Sequence, residues 1–165
     1  MANGLTDMSM TSREFRNALG RYPTGIAVIS AQATDGSLAG LTANSITPVS
    51  SDPVRLAWSL SVTSKTRPIF EQAEYFSVNI LASDQVDIAK QFASSIPDRY
   101  INISHELAGA HRMPKIEGAL AWYVCRLLES SIAGDHVMFI GEVIESEVSD
   151  GKPLLYFAGK FAQIH

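Results

Sequence analysis

The chain has 165 residues, enough for one domain that buries about 70% of the surface its unfolded form exposes, with no disulfide or metal staple required. Its 13 Lys and Arg against 17 Asp and Glu leave a net charge of −4 with no basic cluster, which argues against nucleic acid as a partner and leaves a nucleic-acid-binding barrel the weakest of the readings. Hydrophobic residues at 46% and charged ones at 18% describe a globular chain with an apolar lean.

Residues 1–10 contain no apolar core. They read as a disordered tail rather than a signal peptide. No apolar run approaches the ~20 residues of a membrane-spanning helix. The expectation is therefore a soluble, cytoplasmic protein without a membrane partner, its single domain covering residues 11–165. Thr11-x-x-Glu14 is a capping-box pattern. It opens a short helix with Phe15, Ala18 and Leu19 on one face and Gly20 at its end. The β-branched run Gly25–Thr34 reads as a strand, Asp35-Gly36 as a hairpin turn, and Leu38–Ala43 as the returning strand.

Residues 44–53 read as a loop closed by Asp52-Pro53, and Val54–Leu60 as the next strand. Pro68 marks the start of a short helix, and Tyr75–Leu81 is another strand. Ser83 is placed to cap a helix reaching Ala93, with Val86, Ala89 and Phe92 facing inward. Residues 94–118 are polar, hold Pro97 and Pro114, and read as irregular. Three strands finish the chain: Leu120–Leu128, His136–Val148 and Pro153–Phe157. The one cysteine, Cys125, excludes an intrachain disulfide framework and a multi-cysteine metal site. Within "LAWYVCRLL" it reads as a buried structural thiol. Consecutive strands without crossover helices favour a mainly β, antiparallel barrel with short flanking helices over a doubly wound sheet.

Several chemistries are missing. The chain has no Gly-x-Gly-x-x-Gly, no Gly-x-x-x-x-Gly-Lys-Ser/Thr, no His-Glu-x-x-His and no Gly-x-Ser-x-Gly. Its histidines, at 105, 111, 136 and 165, are too scattered to argue for a metal. What remains is polar residues at strand ends. "GLTANSITPVSSDP" (Gly40 to Pro53) is crowded with small and hydroxylated side chains, either a solvated loop or a surface on which a flat polar ligand lies against the backbone. Ser61-Val62-Thr63-Ser64-Lys65-Thr66-Arg67-Pro68 brings hydroxyls and two cations to a helix start, either ordinary capping or a phosphate cradle. Gly134-Asp135-His136 puts an acid and a titratable ring at the mouth of an apolar strand, either a turn or a site.

These segments, followed by "IEGALAWYVCRL", "AGDHVMFIGEV" and "PLLYFAGKF" in that order, resemble the flavin reductase family with the FMN-binding split-barrel fold. The resemblance spans Phe15 to Phe161. It is nearest to the small NAD(P)H:flavin oxidoreductase components of two-component flavin monooxygenases. It implies a six-stranded antiparallel Greek-key barrel, a homodimer, FMN or FAD as the flavin, and NADH or NADPH as hydride donor. Reduced flavin would pass by diffusion to an oxygenase. Carried over by motif, the resemblance implies that Thr42, Ala43, Asn44 and Ser45 line the flavin ring and that Ser59, Leu60 and Ser61 continue that wall. Ser64, Lys65 and Thr66 would hold the phosphate, and Phe92 would stand near the ring. His136 and Tyr156 would face the nicotinamide. Pro48, Ile46, Ala158 and Phe161 depart from the family's more usual residues. A rival reading is a flavin- or haem-binding split barrel that stores or senses its ligand without turnover.

Overall fold

The computed structural model describes residues 10–164. The expected disordered tail, apart from Met10, lies outside them. The apolar runs of the sequence become strands of one curled antiparallel sheet. Its members are β2 (Ala27–Gln32), β3 (Leu38–Ala43), β4 (Thr47–Ser51), β5 (Val54–Ser61), β6 (Tyr75–Ile80), β9 (Ala121–Ala133) and β10 (His136–Val148). Their order is β3-β2-β6-β9-β10-β5-β4. Two edge strands of this seven-stranded sheet, β3 and β4, are joined by only Asn44, Ser45 and Ile46. Such a link reaches about 14 Å, whereas the edges of a flat sheet of that width would stand about 29 Å apart. The sheet therefore curls until its edges meet, and the barrel closes at that link. The step from β5 to β6 passes over β9 and β10 in the sheet order, which gives the Greek-key path, and it carries α2 (Arg67–Gln72).

Side-chain alternation decides which face turns inward. Along β10, Val137, Phe139 and Gly141 are buried while His136, Met138 and Ile140 are half-buried. Inside the barrel Trp58 stacks on Phe139 at 4.5 Å, with Phe70 edge-on at 5.0 Å and Phe76 at 5.9 Å. Aromatic pairs in such geometries add to plain area burial. Cys125 belongs to this core, and burial pushes its thiol up to about 12, so it is a structural residue and no nucleophile. A second cluster, outside the sheet, packs Phe92 and Ala89 of α3 (Val86–Ala93) against Ile26, Val28, Leu81 and Leu154.

Several expectations are corrected. The barrel sheet has seven strands rather than six, because β4 forms inside the stretch read as a loop. Residues 94–118 are not wholly irregular: β7 (His105–Ala108) pairs with β8 (Met113–Ile116). Pro114 hid this hairpin. It is tolerated because β8 has a ladder on one side only. The carbonyl of Pro114 accepts from three buried donors: Ser77 Oγ at 2.8 Å, Trp122 Nε1 at 3.0 Å and Asn79 Nδ2 at 3.3 Å. Asn79 Oδ1 in turn accepts from Ile116 N at 2.8 Å.

Ser83 does not cap α3. The cap position is Gln85, whose Oε1 accepts from Ala82 N instead. β9 runs on to Ala133. The last expected strand begins at Leu155 and forms a three-stranded sheet: β1 (Thr24–Gly25), β11 (Leu155–Phe157) and β12 (Lys160–Ala162). The capping box of α1 (Ser12–Leu19) is present, but no residue of that helix is buried in this chain.

Asn79→Ala strands the Ile116 N–H and removes one donor from the Pro114 carbonyl in a dry interior. We expect it to lower unfolding free energy by about 2–3 kcal/mol, read as a lower urea midpoint at unchanged slope.

Candidate functional site at the barrel seam

The link that closes the barrel also opens a cleft. Asn44 is exposed there and Ser45 half-buried. Ser45 Oγ accepts from Ser59 N at 3.0 Å and lies 3.3 Å from Ser59 O, to which it donates. One hydroxyl thus stitches the seam to β5 and fixes where Asn44 projects. The cleft has a volume of about 1320 Å³ and takes in Asn44, Ser45, Ile46, Thr47, His136 and Tyr156. Such a volume exceeds the ~1,000 Å³ upper range of ordinary small-molecule sites.

His136 pairs with Ser61 of β5 on one side and Ala133 of β9 on the other. The strand pairing holds it at the cleft mouth. Its Nδ1 lies 2.8 Å from Asp135 Oδ1. That hydrogen bond and the imidazole's charge hold the Asp135 carboxyl below its ordinary value. With Nδ1 engaged by Asp135, Nε2 is the nitrogen left for another partner. Tyr156 reaches the cleft from β11, its ring edge-on to Phe161 at 5.7 Å.

The other sequence-derived candidates are distributed differently. Ser59 meets the seam through its backbone. Ser61 Oγ pairs with Thr63 Oγ1, and Ser64 Oγ with Thr66 Oγ1, each at 3.0 Å. Lys65 is exposed between them. Val62 N donates to Asp135 O at 3.0 Å, so the loop carrying Ser64, Lys65 and Thr66 stands beside His136. Thr42 is turned away: its hydroxyl donates to Ala89 O at 2.6 Å. Ala43 and Leu60 are buried in the barrel core. Phe92, expected near the ring, is a core residue here, 0% exposed and edge-on to Tyr100 at 4.9 Å.

Residues from the start of the chain were missed. Arg16, Leu19, Arg21, Tyr22, Pro23 and Thr24 all line the cleft. Two arginines flanking Gly20 just before the first strand, in an acidic chain, were the available signal. Thr24 Oγ1 is buried without a hydrogen-bond partner. An orphaned hydroxyl, an exposed carboxamide and a free imidazole nitrogen suit a ligand rich in polar heteroatoms, as a flavin or a nicotinamide nucleotide is.

The fold and cleft define an antiparallel split barrel with a large cleft at its seam. Residues 19–165 match the family model described as flavin reductase like domain, and the chain belongs to that family. It is 35% identical over 152 residues to the FMN reductase (NADH) SmoA of Agrobacterium fabrum, covering 92% of this chain and 86% of that protein. Identity is 32% over 150 residues to the reductase component of the Rhodococcus opacus 4-nitrophenol 4-monooxygenase/4-nitrocatechol 2-monooxygenase, covering 90% of this chain and 78% of that one. The structure of Streptomyces globisporus C-1027 NADH:FAD oxidoreductase SgcE6, in complex with NAD and FAD fragments, superposes with a TM-score of 0.87 at 27% identity, over 93% of this chain and 92% of the other.

Ser45→Ala removes both seam bonds to Ser59. Expected are a stability loss of about 1–2 kcal/mol and weaker flavin binding than in the parent chain. Thermal unfolding and a fluorescence titration with FMN measure the two.

Proposed function

We propose that this chain is an NAD(P)H:flavin oxidoreductase that reduces FMN or FAD and releases the reduced flavin to a separate oxygenase. The observation that carries this is the seam cleft, where Asn44, Ser45, His136 and Tyr156, drawn from distant parts of the chain, converge on one volume. Bound there, a reduced nicotinamide supplies hydride and the flavin, with a proton, accepts it. The chain's own task is to bind, align and shield. Asn44 and Ser45 offer hydrogen bonds to the flavin ring, and Ser64, Lys65 and Thr66 offer hydroxyls and a cation to its phosphate. His136, held through Asp135, presents Nε2 to the nicotinamide, with Tyr156 as a flat wall. No acid or nucleophile of the protein is required by this chemistry.

Reductase components among the relatives support the hand-off to an oxygenase. A second copy of the chain is the proposed partner for the apolar face of α1, whose Phe15 and Leu19 are each 54% exposed. Among the described residues, no helix is long and apolar enough to cross a membrane.

The direct test is NADH oxidation in air with added FMN or FAD. Rapid, flavin-dependent loss of the NADH absorbance supports the reading. Flavin binding without oxidation of NADH or NADPH returns the chain to the storage or sensor class. His136→Ala is expected to raise KM for the nicotinamide donor about tenfold, the loss of one good hydrogen bond, and to leave KM for flavin near its parent value; a change in flavin KM alone contradicts the assignment. Ser64→Ala combined with Lys65→Ala is expected to weaken FMN far more than riboflavin, which lacks the phosphate. Equal losses in equilibrium titrations remove the phosphate role of that loop.

A further inference from the structure

The charge on the cleft wall runs against the charge of the molecule. The chain carries a net −4. Yet the residues lining the cleft include Arg16, Arg21 and His136 and no aspartate or glutamate. Asp135, next in sequence to the lining residue His136, is engaged by His136 Nδ1. Neither Arg16 nor Arg21 makes a salt bridge or a side-chain hydrogen bond among the described residues. Elsewhere on the chain Arg67, Arg126 and Lys115 are paired, with Glu71 at 2.9 Å, Glu142 at 2.6 Å and Glu147 at 2.6 Å respectively.

Arg16 lies in the last turn of α1, where a cation also offsets the helix dipole. That accounts for one charge on a short exposed helix. Arg21 lies past Gly20, outside the helix, and has no such partner. The two share the wall with Tyr22 and with Thr24, whose buried Oγ1 has no acceptor or donor of its own. The stretch Gly20–Thr24 is held in place at both ends. Ala158 N donates to Gly20 O at 2.8 Å, and Thr24 pairs with Tyr156. Two uncommitted guanidiniums on an anchored wall of a concave, carboxylate-free site concentrate positive potential where an anion enters. The planar fork of arginine suits phosphate oxygens in pairs.

We infer that Arg16 and Arg21 form a subsite for the diphosphate of a dinucleotide, separate from the Ser64–Thr66 loop. This rests on the nucleotide reading of the cleft. It adds that the chain reads the bridge between the two halves of a dinucleotide, carried either by the nicotinamide donor or by FAD. The consequence is selectivity: substrates that lack the diphosphate lose this contact, so their binding is insensitive to the two arginines.

The experiment compares the parent with Arg16→Gln/Arg21→Gln, whose side chains are exposed and unbonded, and with Arg16→Lys/Arg21→Lys. Apparent KM is measured for NADH against dihydronicotinamide riboside, and for FAD against FMN. Losing a charge-assisted contact corresponds to roughly a 10- to 100-fold rise. A rise for NADH with the riboside unchanged places the donor's diphosphate at the arginines. A rise for FAD with FMN unchanged places the flavin's there. In either case the Lys pair recovers part of the loss. No change in any KM, or an equal change for substrates with and without the diphosphate, overturns the subsite. ADP, which has the diphosphate and no redox ring, is titrated by calorimetry into the same three proteins. If the parent fails to oxidise NADH, the reductase reading falls while this titration still decides the subsite. ADP bound by the parent and lost in the Gln pair sustains it; equal or absent binding in both overturns it.

Discussion

A three-residue link between the edges of a seven-stranded sheet governs this molecule. Asn44, Ser45 and Ile46 are too few to span an open sheet, so the sheet must roll until β3 and β4 meet. The link cannot also pair as a regular strand, so its polar groups are left for other partners. Ser45 spends its hydroxyl on the backbone of Ser59 and locks the seam. Asn44 is left exposed beside the resulting cleft. Closure of the fold and creation of a polar site are thus two results of one short connection.

The barrel is made rigid around that seam by two different means. Inside, Trp58, Phe70, Phe76 and Phe139 fill the volume with rings in stacked and edge-on contact. Close packing there is felt at the glycines: a Cβ on Gly141 would stand 2.6 Å from the Phe76 ring. Outside, the segment from Ser94 to Gly118 buries Tyr100, Met113 and Ile116 and is held by hydrogen bonds as well. The Pro114 carbonyl, with Ser77, Asn79 and Trp122 converging on it, anchors β8 to the sheet. Gln85 adds a tether from its Nε2 to Glu117 O at 2.8 Å. Buried polar groups so completely paired specify one arrangement of the strap, because any slip would strand several donors at once.

The chemistry assigned to the cleft asks little of the protein in the way of reactive groups and much in the way of placement. That matches what is on its walls. The thiol is buried in the core, and the histidine at the mouth is oriented by its neighbour. The charged groups available to a ligand are cations on a chain that is acidic as a whole. A site of this kind controls which nucleotides meet and in what alignment, while the cofactors hold the electrons.

Much of this was legible in the linear order of residues. β-branched and aromatic runs punctuated by Asp35-Gly36, Pro53 and Gly134 identify strands, because turn chemistry and period-two burial are local properties. The capping box at Thr11 and the polar segments at Asn44–Ser45 and Asp135-His136 are local too, and the order of those segments carried the family resemblance. Local pattern also misled. Pro114 masked β8, whose stability comes from donors roughly 35 residues away. Phe92 lies on the inward face of α3, where periodicity placed it, and packs edge-on to Tyr100. The convergence of Arg16 and Arg21 with His136 on one cleft had no trace in spacing. It arises only when Gly20 is hydrogen-bonded to Ala158 and Thr24 is paired with Tyr156. The sequence by itself determined most of the strands, the turns and the polar segments from which a site could be drawn. The tertiary structure alone decided which of them share a cavity, because strand pairing across the chain sets those distances and no local preference encodes them.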